Sequence, residues 1–115
     1  MNAGKLTIDD VILIGHGRNG RTVRIGDIST IEVHGNYLTV RSNGGEPCET
    51  YGSLVRCKER LPATFFTAGR HCIVNMAAVA KVNMSTRTAV LTMKDGMVVA
   101  VSRNQSRALR RGFAL

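Results

Sequence analysis

The sequence predicts a single, mostly β domain with two short helices. Three observations carry that prediction. Polar and apolar residues alternate with period two along much of the chain, as half-buried strands require. Glycine, asparagine and aspartate punctuate those runs at short intervals. Only two segments, opening at Ser53 and Ser102, put a capping hydroxyl ahead of apolar residues at helical spacing. At 115 residues the chain has the length of one domain with a modest core. Residues 1–10 are expected to be a loose N-terminal segment, with the domain over 11–115.

The elements follow in order. Thr22–Ile25 alternates polar and apolar. Ile28–Val33 and Tyr37–Arg41 repeat the pattern with β-branched and aromatic residues. Asn43–Pro47 is turn chemistry, with glycines for positive φ and a proline as a stop. A strand through Cys48–Tyr51 comes next. Ser53 caps a helix reaching about Leu61, with Leu54, Cys57 and Leu61 on one face and Arg56, Lys58, Glu59 and Arg60 on the other. Pro62 ends it. Short strands are expected over Cys72–Val74, Ala80–Val82, Thr88–Met93 and Met97–Val101. Lys94–Met97 should join the last two through a type I′ turn, because Asp95-Gly96 suits positive φ. Ser102 and Gln105 have capping-box spacing at the start of the second helix. Leu109 and Phe113, one turn apart, can anchor its tail.

Charge divides the chain. Residues 1–52 hold five basic and six acidic side chains, a net of −1. Residues 53–115 hold eleven basic and two acidic, a net of +9, and the two halves sum to +8. Such asymmetry fits either a plain basic surface or the electrostatic footprint of a polyanion, and charge alone does not separate DNA, RNA, acidic protein and anionic lipid. No apolar run approaches the roughly 18 residues of a membrane span, and no secretory leader pattern opens the chain. A cytoplasmic protein with no membrane partner is expected. Cys48, Cys57 and Cys72 are odd in number and irregular in spacing, which fits reduced thiols. Cys57 and Cys72 should be small buried residues.

Several chemistries find little support. Residues 15–20 spell GxGxxG, but a dinucleotide fingerprint opens a helix, and here a strand pattern follows. A glycine-rich hairpin turn explains the match. His16, His34, His71 and the cysteines show no metal-ligand spacing. No carboxylate pair or nucleophile–base pair stands out, so neither a cofactor nor an enzyme is expected. Single-stranded nucleic acid needs exposed stacking rings. The chain has five aromatics, and at least three are expected to fill the core. Duplex DNA needs arginine and asparagine at base edges and cations at phosphates.

Three places offer those groups. The last fifth of the chain runs from apolar 98–101 into Arg103, Arg107, Arg110 and Arg111 without one acid. Arg103 stands at the start of a helix, where the dipole disfavours a cation. Arg70 precedes the strand at Cys72. His34-Gly35-Asn36 is a polar loop between apolar strands.

These loops, in this order, carry a resemblance to the LytTR DNA-binding domain of bacterial transcription regulators. Asp27–Tyr37 is similar to that family's first signature. Tyr51-Gly52-Ser53-Leu54 opens the helix, followed by Leu61 and Phe65-Phe66. Arg70–Asn75 resembles the segment ending in Ile-Val-Asn, and Val101-Ser102-Arg103 the closing Val-Ser-Arg. Coverage runs from about Leu13 to Phe113.

The resemblance implies an elongated array of small antiparallel sheets with two short helices. It implies double-stranded DNA as partner, read as imperfect direct repeats by loops in successive major grooves. Base contacts would come from Arg103 and Arg70, from Asn36, His34 and Tyr37 in the first loop, and from His71 and Asn104 beside the arginines. Arg107, Arg110, Lys58 and Arg60 would meet phosphates. Gly69 and His71 depart from the residues common at those positions, which leaves the target sequence open. Most members follow a phospho-receiver domain, and the chain has no room for one. A stand-alone regulator is therefore expected, controlled by a protein partner, by abundance or by dimerisation on DNA. The alternative is a protein-binding adaptor that keeps the fold without specific DNA binding, using Met76, Met84, Met93 and Met97 as an adaptable apolar surface.

Overall fold

The computed structural model describes residues 5–16 and 18–114. Strand β1 (Val11–His16) pairs antiparallel with β2 (Asn19–Arg24), His16 opposite Asn19. The GxGxxG stretch thus lies where a hairpin reverses, and no helix follows it; Gly17 itself lies outside the described residues. A 3-10 turn at Ile25–Asp27 leads into β3 (Ile28–His34), β4 (Tyr37–Ser42) and β5 (Cys48–Tyr51). Helix α1 (Leu54–Arg60) follows, then β6 (Phe65–Gly69) and β7 (Cys72–Asn75). A second 3-10 turn, Met76–Ala78, enters β8 (Val79–Asn83), β9 (Val90–Met93) and β10 (Val98–Ala100), and α2 (Arg103–Phe113) ends the domain.

The strands make three antiparallel sheets: the β1–β2 ribbon, a central sheet ordered β5-β4-β3-β7-β6, and a small sheet ordered β10-β9-β8. The domain measures 45 × 33 × 25 Å. The central sheet is a shared wall, because successive strand residues face opposite sides. Phe65 and Ile73 enter one core with Ile14, Val23, Leu38 and Leu61, beneath the ribbon and α1. Phe66 and Val74 enter the other with Leu91, Met93, Val99 and Leu109, beneath the small sheet and α2. Truncating a side chain such as Phe65, 1% exposed, to alanine removes about 3–5 kcal/mol.

Local chemistry sets the element ends. The Ser53 hydroxyl accepts from Arg56 N at 3.3 Å, and Leu61 N returns to Cys57 O. Buried Asn75, 1% exposed, sends Nδ2 to Ile28 O at 2.9 Å while its Oδ1 accepts from Ala77 N at 3.0 Å. It thereby ties β7 to the start of β3.

Five expectations need correction. Residues 5–10 are not loose. Leu6 N donates to Arg60 O, Gly26 N to Ile8 O and Ile25 N to Asp10 O, and Leu6 packs on the first core. The β9–β10 connection is longer than a type I′ turn. Gly96 N donates to Met93 O and Met93 N to Met97 O, and only Gly96 (φ 92°) is left-handed. That is a three-residue loop ending in a glycine bulge, held by Asp95 Oδ1 on Met97 N. The capping box at α2 is half formed. Ser102 Oγ accepts from Gln105 N, but the Gln105 amide goes to Thr67 O at 2.6 Å instead of returning to Ser102. Two aromatics fill the cores, not three: Phe113 is 46% exposed and meets Phe66 edge-on at 5.9 Å. Met93 is wholly buried in the second core, so of the four methionines only Met76, Met84 and Met97, half-buried against that core, reach the surface.

Cys57 and Cys72 are half-buried rather than fully enclosed. Burial pushes the Cys57 thiol up, against a smaller opposing pull from Arg60. Burial, with a contribution from Glu32, pushes Cys72 up to about 12.

Candidate nucleic-acid interface

Strand register decides where the predicted residues go. His34 stands opposite Tyr37, so Gly35-Asn36 is a two-residue turn. Gly35 has φ 62° while Asn36 does not have positive φ, the pattern of a type II′ hairpin turn. Gly69 stands opposite Cys72, so Arg70-His71 is the turn between β6 and β7. Antiparallel pairing of β3 with β7 puts Glu32 opposite Cys72, and Val33 N donates to His71 O at 2.9 Å. Both turns therefore leave the same end of the central sheet, side by side.

The third segment is tied to the same end. Ser102 N donates to Ala68 O at 2.9 Å, one residue from the β6–β7 turn, and Gln105 adds its bond to Thr67 O. Ser106 locks the other side: its hydroxyl accepts from Ala89 N and donates to Ser102 O, each at 2.9 Å. Arg103 thus starts α2 from a backbone fixed at several points.

His34, Asn36, Arg70, His71, Arg103 and Asn104 are exposed, and Tyr37 is half-buried. Among the described residues, the guanidinium groups of Arg70, Arg103 and Arg107 have no hydrogen-bond or ion-pair partner. Arg103, Arg107 and Arg111 line up at i, i+4 and i+8 on α2, opposite buried Ser106 and Leu109. A groove of about 600 Å³ between α1 and the β6–β7 turn is lined by Lys58 and Glu59 from the helix and by Arg70 from the turn.

Two predicted cations lie apart. Arg60 lines a different cavity, beneath the β1–β2 ribbon. Arg110 Nη2 donates to Met84 O and Thr86 O, both at 3.4 Å, so it braces the loop between β8 and β9.

Sequence reasoning missed Tyr51 and the second role of Gln105. Tyr51 stands opposite Tyr37; their rings stack at 4.8 Å and their hydroxyls lie 3.2 Å apart. That hydrogen bond is the main reason the Tyr37 phenol is held above its ordinary range. Gln105 carried a capping signal, which concealed its reach to β6.

The model of the LytTr DNA-binding domain matches residues 18–113. The chain belongs to the LytTR DNA-binding domain family. Among solved structures, this LytTR domain is similar to the LytTr DNA-binding domain of a protein from Bacillus cereus described as a methyl-accepting/DNA response regulator. The TM-score is 0.83 at 20% identity, covering 91% of this chain and 97% of that one. Comparison with curated proteins returns no match. The shared fold is the predicted one: mostly β, several small antiparallel sheets and two helices.

Proposed function

We propose that this LytTR domain is a sequence-specific, double-stranded DNA-binding transcriptional regulator of the bacterial cytoplasm. It reads imperfect direct repeats, with its turns entering successive major grooves. One observation carries the reading: three separate exposed segments, two with unpartnered guanidiniums, converge on one end of a rigid sheet.

Arg70 and Arg103 supply planar forks suited to guanine O6 and N7, and Asn36 suits adenine N6 and N7. His34, His71 and Asn104 flank them. Tyr37 contributes chiefly by fixing the first turn through Tyr51. Arg107 and Lys58 meet phosphates, with Arg110 and Arg60 further from the reading end. A regulatory protein partner and pairing of two copies on adjacent repeats complete the proposal.

Selection of genomic fragments on the purified chain, followed by sequencing, tests it. Enrichment of a direct repeat with a half-site spacing near one helical turn is the expected result. Recovery without a common motif would refute sequence-specific binding and favour the adaptor.

A further inference from the structure

Helix α1 starts at the reading end of the domain and runs away from it. Tyr51 pairs with Tyr37 beside the Gly35-Asn36 turn, and only Gly52 and the capping Ser53 separate it from Leu54. At the other end Phe65 opens β6 opposite Asn75, which is bonded to Ile28 O at the start of β3. The first turn of α1 therefore stands near the Arg70-His71 turn. The open groove between them is lined by Leu54 and Val55 from that first turn and by Thr67, Gly69 and Arg70 opposite.

Val55 is 72% exposed. A single apolar residue at a surface is ordinary. This one is also β-branched on a solvent-facing helical position, where alanine or a straight chain serves the helix better. Lys58 and Glu59 line the groove about 4.5 and 6 Å further along the helix and carry opposite charges. The end of the groove nearest the turns is left with an apolar side chain and the unpartnered Arg70 guanidinium. Neighbouring base pairs in a major groove present that same pair of partners: guanine offers O6 and N7 to an arginine, and thymine offers its C5 methyl to an apolar group.

We propose that Val55 is a further specificity-determining residue, packing on the C5 methyl of a thymine that neighbours the guanine read by Arg70. The inference rests on the DNA-binding role proposed above. It adds to that role a contact made without a hydrogen bond or a charge, from a helix that none of the three reading segments includes.

Deoxyuridine, which lacks only the thymine methyl, is the probe. Each thymine of one half-site of the selected repeat is replaced by it in turn, and affinity for the whole chain is measured by fluorescence anisotropy. Selection with Arg70→Ala locates the guanine, as the position where specificity relaxes. One replacement, beside that guanine, should weaken binding about fourfold, the equivalent of roughly 0.8 kcal/mol for one buried carbon. Val55→Ala should bind the thymine duplex several-fold more weakly than the natural chain does, and should bind the thymine and deoxyuridine duplexes equally. Its affinity for random DNA and its salt slope should not change, because no charge is removed. Urea unfolding should show it no less stable, since alanine favours the helix, so the loss is not one of folding. A flat deoxyuridine series, or a deoxyuridine effect that persists in Val55→Ala, overturns the contact and leaves the DNA-binding role standing; a groove that serves a protein partner instead gives the flat series. An effect at a thymine away from the guanine, or no position relaxed by Arg70→Ala, overturns the pairing of Val55 with Arg70. Failure to select any repeat overturns the DNA-binding role and this contact with it.

Discussion

Replacing Arg103 by alanine should move stability and DNA affinity in opposite directions. Arg103 is the first residue of α2, exposed, with no acid in the first turn and Arg107 one turn along. Its charge meets the positive end of the helix dipole, a cost of about 0.3–1 kcal/mol. The like-charge pair with Arg107 adds about 0.2–0.5 kcal/mol. Alanine relieves both, so Arg103→Ala should stabilise the domain by roughly 0.5–1.5 kcal/mol, or about 4 °C in Tm per kcal/mol. On the selected repeat the same change should weaken binding by about 1–3 kcal/mol, some 5- to 150-fold, with little effect on random DNA. Arg103→Lys keeps the charge and loses the two-pronged fork. It should therefore retain random-DNA affinity and still lose the repeat. Urea unfolding and fluorescence anisotropy at several salt concentrations measure all of this. The salt slope should stay unchanged for Arg103→Ala and fall by about 0.9 for Arg107→Ala. A destabilised Arg103→Ala would refute the unpartnered cation at the helix start. Equal losses on specific and random DNA would refute base reading.

Three further outcomes are expected. Asn75→Ala should cost about 2–4 kcal/mol in urea unfolding, because it orphans buried Ile28 O and removes the cap from Ala77 N at the start of the 3-10 turn. Gly112→Ala should stabilise α2 by about 0.5–1 kcal/mol, since the position is helical and a Cβ there meets nothing within 4 Å; no rise in Tm would count against a formed last turn. Cys72, with its thiol pushed up to about 12, should react with iodoacetamide far more slowly in the folded chain than in urea at pH 8. The sign for stability follows: the thiol's contribution is complete below the ordinary thiol range and fades as pH rises toward 12. A Cys72→Ala variant should therefore show a shallower loss of stability above pH 9 than the natural chain, measured by pH-dependent unfolding.

Much of this architecture was legible because alternation survives wherever one strand face is buried. The strands at Tyr37, Cys48 and Val79, both hydroxyl caps and the helix face of Leu54, Cys57 and Leu61 could all be read that way. Two strands could not. In β6, Phe65 and Phe66 are both buried, each in its own core, so the central sheet erases the period-two signal. In β1, Val11 and Leu13 are apolar yet 58% and 77% exposed, so an uninterrupted apolar run hides which side faces in. The arginines at the reading end stood out through charge and helix position. Their convergence did not, because it depends on β3 pairing with β7 across more than thirty intervening residues. The Tyr37–Tyr51 pair was hidden for the same reason: it is a fact of register, with no local pattern in either strand.

The hooks that hold α2 have a consequence for solubility. Strand β6 is the outermost of the central sheet, and Phe65–Gly69 is an apolar stretch with no charge. Left open, such a border is a template for adding a foreign strand. Ser102 N and the Gln105 amide occupy the carbonyls of Ala68 and Thr67 that another chain would use. Detaching α2 would therefore do more than misplace an arginine. It would uncover an adhesive border, and selection for a monodisperse protein and selection for a well-aimed Arg103 would fall on the same two bonds.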